Sequence, residues 1–452
     1  MANNKACIQL LSIILLSGFL YLETVRLSSC QGDPNLGCRQ IEKEALIEFK
    51  KSLTDPSDRL SSWVIGGDCC NWSGVVCNNR TGHVVKLKLR NLIPDSFDAD
   101  GTTHRLGGKI NSSLLDLKYL NYLDLSSNNF GGSEIPKFFG SLEKLRYLNL
   151  SGASFGGTIP PLIGNLSNLR YLDLNTYSDK SPENDLQWLS GLSSLKHLNL
   201  RRVDLSKAAD HWLQAVNMLP SLLELHLPIC ALSKLPLSLP FVNFSSLLVL
   251  DLSNNGFDSS IPPWLFNLHK LQHLDLNSNN LRGTIPDAFA NLTSLEKLDL
   301  SQNYNIGGRL SGNLGNLCNL RILSLSQNNI SGEITELIDG LSSCNDSRLE
   351  SMDLGYNKLG GFLPDSLGHL KSLKYLQLWE NSFVGSIPNS IGNLSSLTEF
   401  YLSNNKFNGT IPESLGQLST LAALAFSGNS WTGVITEAHF SNLISLTDPV
   451  NC

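Results

Sequence analysis

The sequence predicts an α/β solenoid: one right-handed coil of short stacked turns, with a parallel sheet along its concave side and a helical cap over its N-terminal end. Three observations predict it. The frame LLVLDLSNNGF from Leu247 recurs as LQHLDLNSNNL from Leu271 and LEKLDLSQNYN from Leu295, a period of 24 residues. Within each frame the leucines of LxL alternate with an outward residue, the period of a half-buried strand. Ahead of the array, Ile41, Ala45, Leu46, Phe49 and Leu53 fall at helical spacing. A turn of this length cannot bury its leucines alone, so stacking makes one continuous core. Length alone would suggest two or three domains, and the repeats overrule that.

The first element, residues 1–30, has the layout of a secretory signal peptide. Lys5 precedes the 15-residue apolar run Ile8–Leu22, and Ser28 and Ser29 precede a cleavage point near Cys30. The run is short for a membrane span, which needs about 20 residues, and no later stretch resembles one. The expectation is a secreted, extracellular chain whose cysteines can pair. Eleven Asn-x-Ser/Thr sequons, at Asn71, Asn79, Asn111, Asn149, Asn165, Asn243, Asn291, Asn329, Asn345, Asn393 and Asn408, point to a glycoprotein. A formal charge of −6, a pI near 5.9 and the lack of a basic run argue against a nucleic-acid partner.

Residues 31–83 form the cap. Asp55-Pro56 ends its helix, and Leu60 and Trp63 supply further core. The stretch DCCNWSGVVC crowds three cysteines into ten positions, Asp68 to Cys77. Adjacent cysteines rarely bridge each other, so Cys69 and Cys70 staple in two directions. With Cys38 and Cys77 they make four, which allows three connectivities. A zinc site with His83 is the competing reading, disfavoured by secretion and the even cysteine count.

Residues 84–446 carry about fourteen turns. The second leucine slot is filled by Leu123, Leu148, Leu172, Leu198, Leu225, Leu250, Leu274, Leu298, Leu323, Met352, Leu376, Phe400 and Leu424, with a less regular unit around Leu87 and Leu89. Three residues after the last leucine comes an Asn slot, whose amide both donates and accepts where the chain turns inside the coil. Ala153, Tyr177 and Val203 break it, and Cys230 occupies it once as a buried thiol. Cys318 and Cys344 lie one turn apart. Neighbouring strands are about 4.8 Å apart and bridged cysteines need Cα atoms about 4.4–6.8 Å apart. A bond pinning a loop over 339–348 is therefore expected, leaving Cys452 unpaired in the tail 447–452.

The chemistry of an enzyme is missing. Gly107-Gly108-Lys109 lacks the leading glycine of a phosphate loop. His269 and His273 have i, i+4 spacing, but the repeat frame puts them on different elements. Asp124, Asp173, Asp251, Asp275 and Asp299 are the outward residues of LxL frames, a column and not a catalytic pair. The expectation is no enzymatic activity, no cofactor and no metal site. Concave residues are free to vary without harming the core. The deviant ones are Arg146, Tyr147, Asn149, Arg170, Tyr171, His197, Asn199, Arg201, Glu224, His226, Lys374, Tyr375, Gln377, Trp379, Glu399 and Tyr401, and of these Arg146, Tyr147, Tyr171, His197, Arg201, His226, Tyr375, Gln377, Trp379 and Tyr401 are the candidate ligand-binding set, since aromatics and Arg anchor interfaces. Trp379 is the sharpest, and its bland alternative is packing on Tyr375 or Tyr401. Trp188 and Trp212 are read as extra core in convex inserts.

The frame L-x-x-L-x-L-x-x-N is the pattern of leucine-rich repeats. The segments GTIP at Gly283, GFLP at Gly361, GSIP at Gly385 and GTIP at Gly409 resemble the plant-specific class, which implies short flanking strands and a superhelical twist. The cap, with DRLSSW and W-x-G-V-x-C, resembles that of plant leucine-rich-repeat proteins and implies bonds Cys38–Cys69 and Cys70–Cys77. Together with NNRTGHVVKLKL from Asn78 and the long unit from Asn184, it is similar to plant cell-surface receptor-like proteins, the group that includes fungal xylanase receptors. That resemblance implies recognition of an extracellular protein or peptide, such as a microbial elicitor, and membrane receptor kinases as signalling partners. Full-length members of the group sit in the plasma membrane through one C-terminal helix. This chain stops at SLTDPVNC, partway through a repeat, and is expected to be a truncated or soluble form. The alternatives are a secreted inhibitor resembling polygalacturonase-inhibiting proteins, or a non-functional fragment.

Overall fold

The computed structural model describes residues 37–93, 104–176 and 183–447. The signal-peptide segment, Tyr177 and Cys452 lie outside them. Fifteen strands form one sheet. The first, Val75–Cys77, belongs to the cap and pairs antiparallel with Val84–Lys88. From there to Ala423–Ala425 the strands run parallel in sequence order. Pairing is in leucine register, with Leu123, Leu148, Leu172, Leu198, Leu225 and Leu250 opposite one another in turn. A slip of one residue would put this apolar column in water.

Where it is filled, the Asn slot locks a turn to its neighbours. In the turn of Asn255, Nδ2 donates to Leu227 O of the preceding turn (2.8 Å) and to Leu252 O of its own (3.0 Å). Its Oδ1 accepts from Cys230 N at 3.0 Å. The residue ahead of the slot sits in the left-handed region turn after turn, for example Ser278, Gln302 and Gln327. Cys230, a free thiol, donates from Sγ to Leu200 O in place of an amide. Burial pushes its pKa up.

Strand Arg282–Thr284 opens a second, six-stranded sheet on the flank, which ends at Lys406–Phe407. Gly283 takes φ +91°, a left-handed conformation glycine adopts without cost. The matching segment near Gly157 makes only an isolated bridge, Glu134 to Gly156. The flank sheet is thus a feature of the C-terminal half. In the N-terminal half Trp188 and Trp212 thicken the convex side. Both are buried, and their indole N–H groups donate to Asp185 O and Lys234 O.

The cap helix α1 spans Gln40–Ser52. Ala45, Leu46 and Phe49 are buried as their spacing predicts, but Ile41 is 68% exposed and Glu42 is buried in its stead. The reason is polar. Glu42 Oε2 accepts from Val84 N (2.7 Å) and Oε1 contacts His83 Nδ1 (2.9 Å), so the helix satisfies the leading amide of strand Val84–Lys88. His83 also stacks on Tyr119. The cysteines pair as Cys38–Cys69, Cys70–Cys77 and Cys318–Cys344, with Cα atoms 5.4, 5.4 and 5.5 Å apart. The segment before Cys344 is not the loop expected from the sequence: Thr335–Ser343 is an α-helix whose Leu337, Ile338 and Leu341 are buried. The inserted residues lengthen a one-turn connection enough to bury an apolar face.

Short 3₁₀ turns such as Lys137–Ser141, Pro161–Asn165 and Gln187–Gly191 return the chain along the convex side. They pack through glycine. A methyl group on Gly191 would sit 2.0 Å from Gly164 O, whereas one on Gly66 meets nothing within 4 Å. Gly191→Ala is therefore expected to destabilise the array by about 1–3 kcal/mol through forced separation of two turns. Gly66→Ala is expected to leave thermal unfolding unchanged, and equal midpoints for the two variants would contradict the close-approach account.

Candidate ligand-binding face

Each concave strand presents two outward residues around its central leucine. The second of them is most often Asp, and the structure gives it a local task. Asp124 Oδ1 accepts from Ser126 N and Oγ at 3.0 and 2.6 Å, and Asp251 and Asp299 repeat the arrangement with Ser253 and Ser301. The column pins the strand exits and is structural. Asn149 makes the same bonds to Ser151 and is buried, whereas nine of the eleven sequon asparagines are exposed; Asn111 is half-buried and bonds Glu48 O.

The first outward column carries the distinctive chemistry. Tyr122, Tyr147, Tyr171 and His197 occupy equivalent positions on adjacent strands. Their rings stack with centroids 4.0, 4.2 and 4.2 Å apart and planes within 10° of parallel. In-register strands about 4.8 Å apart force such a stack once each carries a ring. Lys86 Nζ extends the strip, 5.7 Å from the Tyr122 ring centre. Burial raises the phenol pKa values of Tyr122 and Tyr171, with the carboxylates of Asp124 and Asp173 adding to it. These hydroxyls stay protonated, and that of Tyr122 donates to Asp124 Oδ2 at 3.3 Å.

Beyond the rings lies an ionisable cluster. His197 Nδ1 is 2.7 Å from Glu224 Oε2, and His226 stands 3.9 Å from the same oxygen through Nε2. Its other nitrogen, Nδ1, is 3.8 Å from Asp251 Oδ2. Burial lowers the His197 pKa against the opposing pull of Glu224. Burial likewise raises the Asp173 carboxyl. Further along, Lys297 reaches Asp275 at 2.8 Å; burial pulls its pKa down, but Asp275 with Asp299 and Asp251 together leave it raised.

The sequence-predicted set divides in two. Tyr147, Tyr171, His197 and His226 come together in the strip, with Arg146 exposed at a strand entry and Arg201 just beyond a strand exit. Tyr375, Gln377 and Trp379 lie eight strands from Tyr171 and Tyr401 nine, about 38–43 Å along the sheet. Trp379 packs against Tyr356, 6.0 Å between ring centres. It covers Gly355, where a Cβ would lie 2.4 Å from its Nε1. Tyr122 was missed, although its position one residue before Leu123, like that of Tyr147 before Leu148, would have found it. Glu224 stood among the deviant concave residues and Asp251 in the aspartate column, but their grouping with the histidines was not visible, because their partners come from other strands.

Comparison with known proteins agrees with this architecture. Residues 40–78 match the leucine rich repeat N-terminal domain, and residues 245–304 and 347–407 match the leucine rich repeat model. Shorter matches cover 119–142, 144–166 and 319–341. The chain is 44% identical over 257 residues to receptor-like protein EIX1 of Solanum lycopersicum, 55% of this chain and 24% of the relative. It is 39% identical over 346 residues to EIX2 of the same plant, 75% of this chain and 33% of the relative. It thus spans a quarter to a third of the length of these relatives. Among solved structures, the Arabidopsis receptor kinase HAESA ectodomain in complex with an IDA peptide hormone aligns with TM-score 0.59 and 27% identity, covering 90% of this chain and 72% of that one. The TDR receptor aligns with TM-score 0.56 and 29% identity over 82% and 68%. The capped, repeat-built chain belongs to the leucine-rich-repeat proteins, and within them it is a relative of the plant receptor-like proteins.

Proposed function

We propose that this chain is the extracellular recognition module of a plant receptor-like protein and that it binds a peptide or protein segment along its concave face. The observation that carries the reading is the strip from Lys86 through Tyr122, Tyr147 and Tyr171 to His197. Four rings already ordered by stacking on in-register strands present a continuous row of ring edges and polar tips at low entropic cost, which is what an interface anchor needs. Similarity to EIX1 and EIX2 favours a microbial protein as the ligand, and the HAESA ectodomain with its peptide is a structural precedent for recognition by such a fold. Signalling would then pass to partner receptor kinases, with recognition and not catalysis as the task of this chain.

The test is binding of the purified secreted chain to a fungal endoxylanase and to a panel of secreted fungal proteins by biolayer interferometry. For any partner found, Tyr147→Ala with Tyr171→Ala is expected to weaken binding at least about 10-fold, from the loss of two anchors. Trp379→Ala reports on the distant second cluster. The control Lys270→Ala, exposed in the turn ahead of strand His273–Asp275, is expected to bind as the unaltered chain does. Undiminished binding by the double tyrosine variant, with its fold intact by circular dichroism, would reduce the strip to packing.

A further inference from the structure

We propose that His197, Glu224 and His226 form a site for a first-row divalent transition cation of the zinc class on the concave sheet. This does not rest on the ligand reading above. The three side chains come from two neighbouring strands held in register, with His197 opposite Glu224 and Asn199 opposite His226. Their donor atoms lie within 4.8 Å of one another. Tetrahedral coordination with bonds of about 2.0–2.1 Å separates donor atoms by about 3.3 Å. The observed separations of Glu224 Oε2 from His197 Nδ1 and His226 Nε2, 2.7 and 3.9 Å, bracket that value. A small shift of the half-exposed Glu224 side chain brings both to it.

Two further features fit a metal more closely than an ordinary ion pair. With Nε2 of His226 turned toward Glu224, its Nδ1 faces Asp251 Oδ2 at 3.8 Å, from the next strand in register. A carboxylate behind a ligating imidazole fixes its tautomer and orientation, the usual outer support of a zinc histidine. The Tyr171 ring stacked on His197 at 4.2 Å holds the other imidazole in place. Two imidazoles with one carboxylate select zinc, cobalt, nickel or copper over calcium and magnesium, which prefer all-oxygen sites. Three protein ligands leave the fourth position open to the concave groove. A cation held there would offer a coordination point for a carboxylate or imidazole of whatever lies along the tyrosine strip.

The purified full-length secreted chain, stripped with chelator, is titrated with Zn²⁺, Co²⁺ and Ca²⁺ at neutral pH and followed by calorimetry and by the Co²⁺ visible spectrum. The expected result is one Zn²⁺ per chain, a tetrahedral Co²⁺ spectrum and no Ca²⁺ uptake. His226→Ala is expected to lower Zn²⁺ affinity by about 100-fold or more. Asp251→Asn, one shell out, is expected to lower it about 10-fold. His269→Ala on the convex side is expected to change nothing. Absence of stoichiometric Zn²⁺ binding, or affinity retained in folded His226→Ala and His197→Gln, would overturn the site.

Discussion

Asn303→Ala is expected to destabilise the array by about 2–4 kcal/mol, read as a fall in thermal midpoint. The residue is fully buried, and its Oδ1 accepts the buried amide of Leu281 at 3.0 Å. Its Nδ2 donates to Leu276 O, Leu300 O and Ser301 O at 3.0, 3.0 and 3.2 Å. The two leucine carbonyls keep a second amide, from Asn279 and Asn328. Leu281 N keeps nothing, and an orphaned buried donor costs about 1–3 kcal/mol, to which the cavity adds. Asn303→Asp separates the causes. It preserves volume and the acceptor, but it turns an oxygen toward three carbonyls and buries a charge. It is expected to be at least as harmful as Ala, and a near-native Asp variant would show that volume and not hydrogen bonding holds the slot.

The second large effect is at the cap. Replacing Cys38 and Cys69 together by Ser is expected to cost about 3.5 kcal/mol for a bond spanning 31 residues. A comparable entropic effect is expected for Cys318 and Cys344, 26 residues apart. The outcomes should nonetheless differ. Freed of its staple, α1 can leave the first turn, uncovering Leu87 and Leu114, both fully buried. Terminal turns without a cap are aggregation-prone, so the cap variant is expected to lose monomer on size-exclusion chromatography while the internal variant stays monomeric. Loss of monomer in the internal variant alone would refute the capping role.

Most of the fold was legible because period-2 leucines and period-24 turns leave one way to bury the core. Phe400 and Met352 fit their slots as readily as leucine, since the slot demands only an apolar volume. The misread features are those in which polar satisfaction overrode hydrophobic spacing. Glu42 displaced Ile41 because Val84 N needed an acceptor, and a spacing argument does not see amides. The candidate face was half legible. A column of outward residues can be read along the chain, but its grouping depends on which strands are neighbours and which way each ring points. Tyr147 and Tyr171 could be placed side by side from the repeat frame. The meeting of His226 with Glu224 and Asp251 needed three strands in space, and the packing of Trp379 on Gly355 needed a side-chain direction.

The interrupted asparagine slot has a mechanical consequence. From Asn128 to Asn255 the interior fastening is replaced by Ala153, Val203 and Cys230, while Trp188 and Trp212 add packing on the outside. Fastened on its outer side and slack within, that stretch has the construction of a leaf hinge. Amide hydrogen exchange is expected to be faster across residues 145–176 and 183–205 than across 270–330, where Asn279, Asn303 and Asn328 fill the slot turn after turn. Tyr147, Tyr171 and His197 ride on the less fastened stretch, so the tyrosine strip would move with any bending of the coil.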